Sequence, residues 1–115
     1  MKAAGYVIGA ALVAAGYACR NAPMGGGNTC AGVVAQQVIN ATDNQTFVPA
    51  SVTVTAGQTV CWQNQGTLTH SVTHDTIDVA LPPNYVYVET MGKAGVNLSY
   101  HCRYHSSMTG LIAVR

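Results

Sequence analysis

A cysteine, a histidine and a methionine follow one another at three-residue intervals near the C-terminus. They are Cys102, His105 and Met108, within the segment from Tyr100 to Gly110. A thiolate, an imidazole nitrogen and a thioether are ligands that one transition metal can accept together, and a further nitrogen would complete a site of three ligands plus a weak fourth. We identify His70, which lies upstream on a separate segment, as the candidate for that nitrogen.

These ligands need a rigid frame, because the packing around a ligand fixes the direction from which it reaches the metal. From Cys30 onward, short runs of alternating apolar and polar residues are separated by turn residues, and no helical period is sustained. The pattern predicts an all-β fold, a sandwich or barrel of around seven strands. The predicted strands are 33–39, 51–55, 59–64, 69–74, 85–89, 96–102 and 111–114.

Three segments receive more specific predictions. Residues 75–84 contain Pro82-Pro83 and are interpreted as too polar and too broken for a strand, although a short helix would fit there. Cys102, His105 and Met108 fall between the last two predicted strands, so we expect them to line one connecting loop at an end of the sandwich. Within residues 59–64, Val60 and Trp62 are expected to face the core and Cys61 the opposite side.

The chain has 115 residues, enough for one domain, and its apolar excess lies at the front. Lys2 is followed by small, mostly apolar residues up to Ala18, which predicts an export signal at residues 1–18. A retained membrane helix is the alternative, but it needs roughly 20 residues. The signal implies a protein that is periplasmic or anchored in the membrane on its extracytoplasmic side.

Residues 19–32 are interpreted as a flexible linker, because they contain Pro23 and a glycine triplet, and residues 33–115 as the folded domain. Cleavage after Ala18 would make Cys19 the first residue, as in a lipoprotein, although Gly16 and Tyr17 match the usual lipoprotein box poorly. A lipid anchor at Cys19 is therefore one of two expectations, the other being a soluble exported protein.

Charge excludes one class of partner. Only 8% of residues are charged, and beyond the export signal the basic and acidic residues balance. A neutral domain without a basic cluster has no electrostatic footprint for nucleic acid, so we predict no nucleic-acid partner.

Each of the four cysteines needs an assigned state, because disulfides form in the compartments to which proteins are exported. Cys102 belongs to the ligand group. If Cys19 carries lipid, Cys30 and Cys61 remain to pair with each other, and we favour this disulfide. It would close a loop of about thirty residues and contribute about 3 kcal/mol. The alternative pairs Cys19 with Cys30 and leaves Cys61 free.

Short motifs are distributed along the whole domain, from about Val38 to Arg115. They are Phe47-x-Pro49, Val52-x-Val54-x-x-Gly57, Thr59-Val60-x-Trp62-x-Asn64, Thr69-His70-Ser71-Val72, Ala94-Gly95 and Tyr100-x-Cys102-x-x-His105-x-x-Met108-x-Gly110. Together they resemble the small blue-copper proteins, the cupredoxins. The short spacing from the cysteine to the methionine is most similar to amicyanins and pseudoazurins, since plastocyanins usually have a longer gap. The resemblance implies a cupredoxin-like Greek-key β-sandwich of about seven to eight strands.

The resemblance also implies a ligand set. His70, Cys102 and His105 would bind one copper ion in a plane, with Met108 as the long axial ligand, which agrees with the donor chemistry of a one-electron copper site. Asn64 and Ser71 resemble residues that tie the His70 strand to the ligand loop, although local hydrogen bonds at strand ends explain them equally well. The family topology places the first and third strands side by side and parallel, which would bring Cys30 near Cys61.

Several residues depart from the family pattern. One extra residue between Gly95 and Cys102 predicts a bulge near Leu98. Arg103 and Tyr104 stand where a proline is common, which predicts a docking surface less apolar than usual.

Two histidines lie outside the predicted ligand set. His74 shares a strand face with His70 and is interpreted as a partly buried structural histidine or part of the rim of the site. His101 resembles the histidine that links two copper centres in nitrite reductases, but strand alternation favours a surface position.

The function implied by the resemblance is electron transfer, with copper cycling between Cu(I) and Cu(II). The edge of His105 would be the electron port, used in transient docking to redox proteins by a monomer without a small-molecule substrate. The alternatives are a copper-binding carrier or sensor, and a copper-dependent reductase subunit, which would need open coordination. A zinc site is disfavoured because zinc seldom binds Met.

Overall fold

The alternating strands form two β-sheets whose inner faces share one core. A computed structural model describes residues 29–115, so the predicted export signal and most of the linker lie outside the described residues. Within the described part there is no helix that is long and apolar enough to cross a membrane.

The described residues contain nine strands, preceded by a single 3-10 turn at Cys30–Gly32. The strands are β1 (Gln37–Ala41), β2 (Phe47–Val48), β3 (Ser51–Val54), β4 (Thr59–Asn64), β5 (His70–His74), β6 (Ile77–Leu81), β7 (Tyr85–Thr90), β8 (Asn97–Cys102) and β9 (His105–Val114).

One sheet has four strands in the order β2-β1-β4-β7, and the other has five in the order β3-β9-β8-β5-β6. β1 pairs with β4 and β9 pairs with β3 in parallel, whereas the other neighbours are antiparallel. Parallel neighbours cannot be joined by a tight hairpin, so the chain crosses between the sheets to form them. The prediction of an all-β sandwich is confirmed, with nine strands in residues 29–115 instead of seven or eight.

Side chains from both sheets meet in one apolar core around three aromatic rings. The centroid of the Tyr100 ring lies 4.7 Å from that of Phe47 and 5.4 Å from that of Trp62. Both pairs have the edge-to-face geometry that aromatic rings prefer. Val60 and Trp62 belong to this core, as the alternation of β4 predicts.

Cys61 lies on the other face of β4 and forms a disulfide bond with Cys30. Both cysteines are buried, because the 3-10 turn that carries Cys30 covers this part of the sheet. The amide of Cys30 also donates a hydrogen bond of 2.6 Å to Oε1 of Gln63, which lies on the same face of β4. The favoured cysteine pairing is therefore confirmed, and the parallel pairing of β1 with β4 is the topology that brings the two segments together.

The prediction for residues 75–84 is wrong, because Ile77–Leu81 is the edge strand β6. It pairs with β5 along its whole length, from His74 opposite Ile77 to His70 opposite Leu81. Ile77, Val79 and Leu81 lie on the more buried side of the strand, whereas Asp78 and Ala80 are exposed. The two prolines come directly after the strand and end it, as prolines do at sheet edges.

The expected bulge near Leu98 is also not found. β8 pairs with β9 in regular register from Asn97 to His101, and the register shifts only between His101 and Cys102. The irregularity therefore lies at the predicted ligand itself, where a bulge changes the direction of a side chain.

Candidate metal centre

Two of the predicted ligands face each other across a tight turn. Cys102 is the last residue of β8, His105 is the first residue of β9, and the two are register partners. Only Arg103 and Tyr104 lie between them. The expectation that Cys102, His105 and Met108 line one connecting loop is thus corrected, since β9 begins at His105 and includes Met108. Both ends of this turn are held by hydrogen-bonded strands, and we call Cys102–His105 the ligand turn.

His70 approaches from the neighbouring strand. It is the first residue of β5, which lies next to β8 in the five-stranded sheet. Its Nδ1 atom is 3.3 Å from Nδ1 of His105 and 3.9 Å from Sγ of Cys102. Sγ of Cys102 is 3.4 Å from Nδ1 of His105. The structure thus brings together three of the four predicted ligands.

The triangle formed by these three atoms has the size of a metal site. Its centre is about 2 Å from each atom, which is the usual length of bonds from a transition metal to imidazole nitrogen and, within a few tenths of an ångström, to thiolate sulfur. A cation at the centre would interact favourably with both Nδ1 lone pairs and the thiolate. The geometry and the chemistry of the donor set fit one copper ion.

Met108 is fully buried on β9 and belongs to the same core cluster as Cys102. It lies three residues beyond His105, on the strand that returns from the ligand turn. A thioether in this apolar position is suited to a weak metal contact, because it is soft and needs no hydrogen bond. Of the four predicted ligands, only His105 is partly exposed.

Burial controls the protonation of His70. Its pKa is lowered, first by burial and then by the charge of His105, against the opposing effects of the Thr42 carbonyl and Asp43. A lowered pKa keeps the imidazole neutral at neutral pH, and a neutral imidazole is the form that binds a metal.

Gly110 has no side chain and so leaves space for the ring of Tyr100. It is the register partner of Tyr100, and a Cβ atom at position 110 would collide with the Tyr100 ring. Burial raises the pKa of Tyr100 to about 12, so the phenol stays neutral in the core. Because Tyr100 is two residues before Cys102, a side chain at position 110 would disturb the strand that presents the thiol.

The two predicted supporting residues have different roles. Oγ of Ser71 accepts a hydrogen bond of 2.8 Å from the amide of Arg103, so Ser71 links the His70 strand to the ligand turn as predicted. Asn64 does not contact that turn. Its side-chain amide donates to the carbonyls of Leu68 and Leu81, each at 2.7 Å, and thereby holds the loop that precedes His70.

Sequence reasoning missed Asp43, which holds the same loop from the other side. One carboxylate oxygen accepts hydrogen bonds from the amides of Thr67 and Leu68, at 2.8 and 3.2 Å, and the other accepts one from the Thr67 hydroxyl. Gly66 packs against this carboxylate, where a Cβ atom would clash. These hydrogen bonds lower the pKa of Asp43. The only signal in the sequence is an aspartate in a polar connector, which is typical of many loops.

We expect Asp43→Ala to loosen the loop before His70 without unfolding the domain. The amides of Thr67 and Leu68 would lose their acceptor, so their hydrogen exchange, measured by NMR on the metal-free protein, should accelerate several-fold. Asp75→Ala is the control, because Asp75 is an exposed aspartate that contacts His74 instead. Equal protection of the two amides in both variants would contradict this role.

His74 is buried between two acidic residues. Its Nε2 atom lies 2.9 Å from a carboxylate oxygen of Glu89, and its Nδ1 atom lies 3.4 Å from one of Asp75. Tyr87 donates to the same Glu89 oxygen at 3.0 Å. His74 is thus the structural histidine of the two expected roles, and it links β5 to β7 in the opposite sheet. His101 is exposed, as predicted.

Solved structures share the architecture of this chain. No protein-family model matches the sequence, and no curated protein matches it significantly. The reduced Cu(I) form of an amicyanin variant at pH 4 is 23% identical with a TM-score of 0.66, over 75% of this chain and 89% of that one. The purple cupredoxin of Nitrosopumilus maritimus is 19% identical with a TM-score of 0.63, over 70% of this chain and all of that one. The chain therefore has the cupredoxin fold.

Proposed function

We propose that this cupredoxin-fold protein is an electron carrier with a single type 1 copper ion bound by His70, Cys102, His105 and Met108. The observation that carries the proposal is the convergence of two Nδ1 atoms and one thiol sulfur on a point that lies about 2 Å from each. Two histidines, one cysteine and a weak methionine are the ligands of copper sites that transfer electrons. The matches to amicyanin structures containing Cu(I) support the same choice of metal.

The protein's part is to hold these four side chains in one arrangement. When bound, copper supplies a change of one electron between Cu(I) and Cu(II). His70 and Cys102 are fixed by neighbouring strands of one sheet, and the turn between Cys102 and His105 is closed by register pairing. A frame that moves little allows electron transfer without a large rearrangement of the ligands.

Exposure of the ligands supports an electron port at His105. His70, Cys102 and Met108 are buried, whereas His105 reaches the surface. Tyr104, next to it in the chain, is 48% exposed, so an aromatic ring accompanies the port. We propose that redox proteins dock here transiently through a small interface, and that the carrier acts as a monomer with no small-molecule substrate.

The disulfide supports the proposed location. Cys30 and Cys61 are bonded to each other, and structural disulfides are typical of exported proteins. This agrees with export directed by residues 1–18. We propose a linker at residues 19–32 and a domain at residues 33–115, with the end of the linker fastened to the domain by the disulfide at Cys30. A lipid on Cys19, which lies outside the described residues, stays a prediction that the mass of the exported protein would test.

Copper addition tests the proposed function. Titrating Cu(II) into the metal-free domain should give an intense blue thiolate band at one equivalent, together with the paramagnetic spectrum of a type 1 site. Voltammetry should show a reversible one-electron wave, without turnover of nitrite or oxygen. A pale complex would contradict the type 1 assignment and favour a copper carrier or sensor, whereas turnover would favour the reductase.

A further inference from the structure

Four residues beside the candidate metal centre form a closed ring of hydrogen bonds, which uses the backbone amide of Arg103 as well as side chains. The amide of Arg103 donates to Oγ of Ser71 at 2.8 Å, and Oγ of Ser71 lies 2.7 Å from Oγ1 of Thr73. The Thr73 hydroxyl donates to Asp78 at 2.9 Å, and the same carboxylate oxygen accepts from the Arg103 guanidinium. The ring thus begins and ends at Arg103.

Three of the four hydrogen bonds run in one direction, from the Arg103 amide through Ser71 and Thr73 to Asp78, and the guanidinium of Arg103 donates to Asp78 from the other side. A carboxylate is acceptor-only, so Thr73 must donate to Asp78. A hydroxyl has a single proton, so Thr73 accepts from Ser71, and Ser71 has its lone pairs free for the Arg103 amide. Hydrogen bonds that follow one another in one direction polarise and strengthen each other. A defect at any member therefore weakens the bond at the Arg103 amide.

The position of the ring connects it to the metal centre. Arg103 lies in the ligand turn, directly after Cys102, and Ser71 directly follows His70 on β5. Thr73 and Asp78 are register partners on β5 and β6. The ring therefore joins the turn that carries Cys102 and His105 to the two strands that carry and flank His70.

We propose that Thr73, Asp78 and Arg103 are positioning residues of the metal centre, which act through Ser71 to fix the separation between His70 and the ligand turn. The expected effect of the ring on the copper site rests on the proposed function. The hydrogen bonds of the ring do not depend on the metal.

The charges of the ring agree with this role. The hydrogen bond from Thr73, followed by the interactions with Arg103, lowers the pKa of Asp78, so the carboxylate stays ionised at neutral pH. The guanidinium of Arg103 also packs over the ring of Tyr104, with 4.6 Å between its carbon and the ring centroid. Tyr104 thus helps to hold the guanidinium in place.

Thr73→Val tests the ring. Valine keeps the β-branched shape that suits a strand and has a methyl group in place of the hydroxyl. In the metal-free protein, NMR should show the Arg103 amide exchanging several-fold faster. In the copper-loaded protein, the visible and paramagnetic spectra should change at unchanged copper stoichiometry. Asp78→Asn, which keeps the shape but not the charge, should act in the same direction.

Thr53→Val is the matched control. Thr53 is exposed on β3 in the same sheet, and its hydroxyl makes no hydrogen bond within residues 29–115. Combining Thr73→Val with Ser71→Ala should add little to the effect of Ser71→Ala alone, because both break the same ring. The proposal is overturned if Thr73→Val matches Thr53→Val in amide exchange or in the copper spectra. Failure of the proposed function would be visible separately, as the absence of a blue band in the unchanged protein.

Discussion

Cys102→Ser should abolish the intense visible band of the copper-loaded protein while the fold stays intact. The band requires a thiolate bound to copper, and Cys102 is the one free cysteine within residues 29–115. A serine hydroxyl stays protonated at neutral pH and is a poor ligand, whereas a cysteine thiol loses its proton when it binds a metal. The substitution exchanges the buried sulfur for a smaller oxygen and keeps the rest of the side chain.

Copper affinity should fall by more than about 100-fold in the same variant, because the loss of a residue that merely supports a ligand already costs 10-fold to 100-fold. Competition with a chelator of known affinity measures this change, and circular dichroism checks the fold. Met108→Leu is the comparison, since it replaces another buried residue of the site. It should keep the blue band with an altered paramagnetic spectrum, because the axial contact is weak. Blue colour that persists in Cys102→Ser would exclude a thiolate ligand at this position.

Removal of the disulfide should lower the free energy of unfolding by about 3 kcal/mol. Cys30 and Cys61 are 31 residues apart in sequence, so their bond restricts a sizeable loop of the unfolded chain. The change is measured as a shift of the urea transition to lower urea concentration. In a thermal scan, the melting temperature of a domain of this size should fall by roughly 10–20 °C. Both cysteines are replaced by alanine together, because a single replacement would leave a thiol able to bind copper.

The metal centre supplies the control for this second experiment. Neither cysteine of the disulfide belongs to the core cluster that contains Cys102 and Met108, so the blue band should be unchanged in the double variant. Reduction of the unchanged protein should reproduce the loss of stability, and a mass increase of two hydrogen atoms would confirm the bond. An urea transition that does not move would show that the disulfide contributes nothing to stability.

The residue types at the candidate site could be predicted from the sequence because donor chemistry belongs to the side chain itself. The spacing of Cys102, His105 and Met108 indicates a shared metal. His70 is then the candidate for the further nitrogen ligand that such a site needs. Most strands could be predicted for a similar reason, since alternation is a local property of a strand with one buried face. Local reasoning failed at β6, where the flanking prolines obscured the alternation of Ile77–Leu81.

Only the tertiary structure decided how these residues are held. The contacts of Asp43 with Thr67 and of Ser71 with Arg103 join residues that are 24 and 32 positions apart. Such contacts depend on which strands are neighbours and in which register they pair, and a one-residue shift in register would turn every side chain to the opposite face. The sequence by itself therefore determined the class of fold and which residues are the candidate ligands. The packing of β5, β6, β8 and β9 into one sheet decided the distances between the candidate ligands. The same packing decided the hydrogen-bond ring that holds the ligand turn.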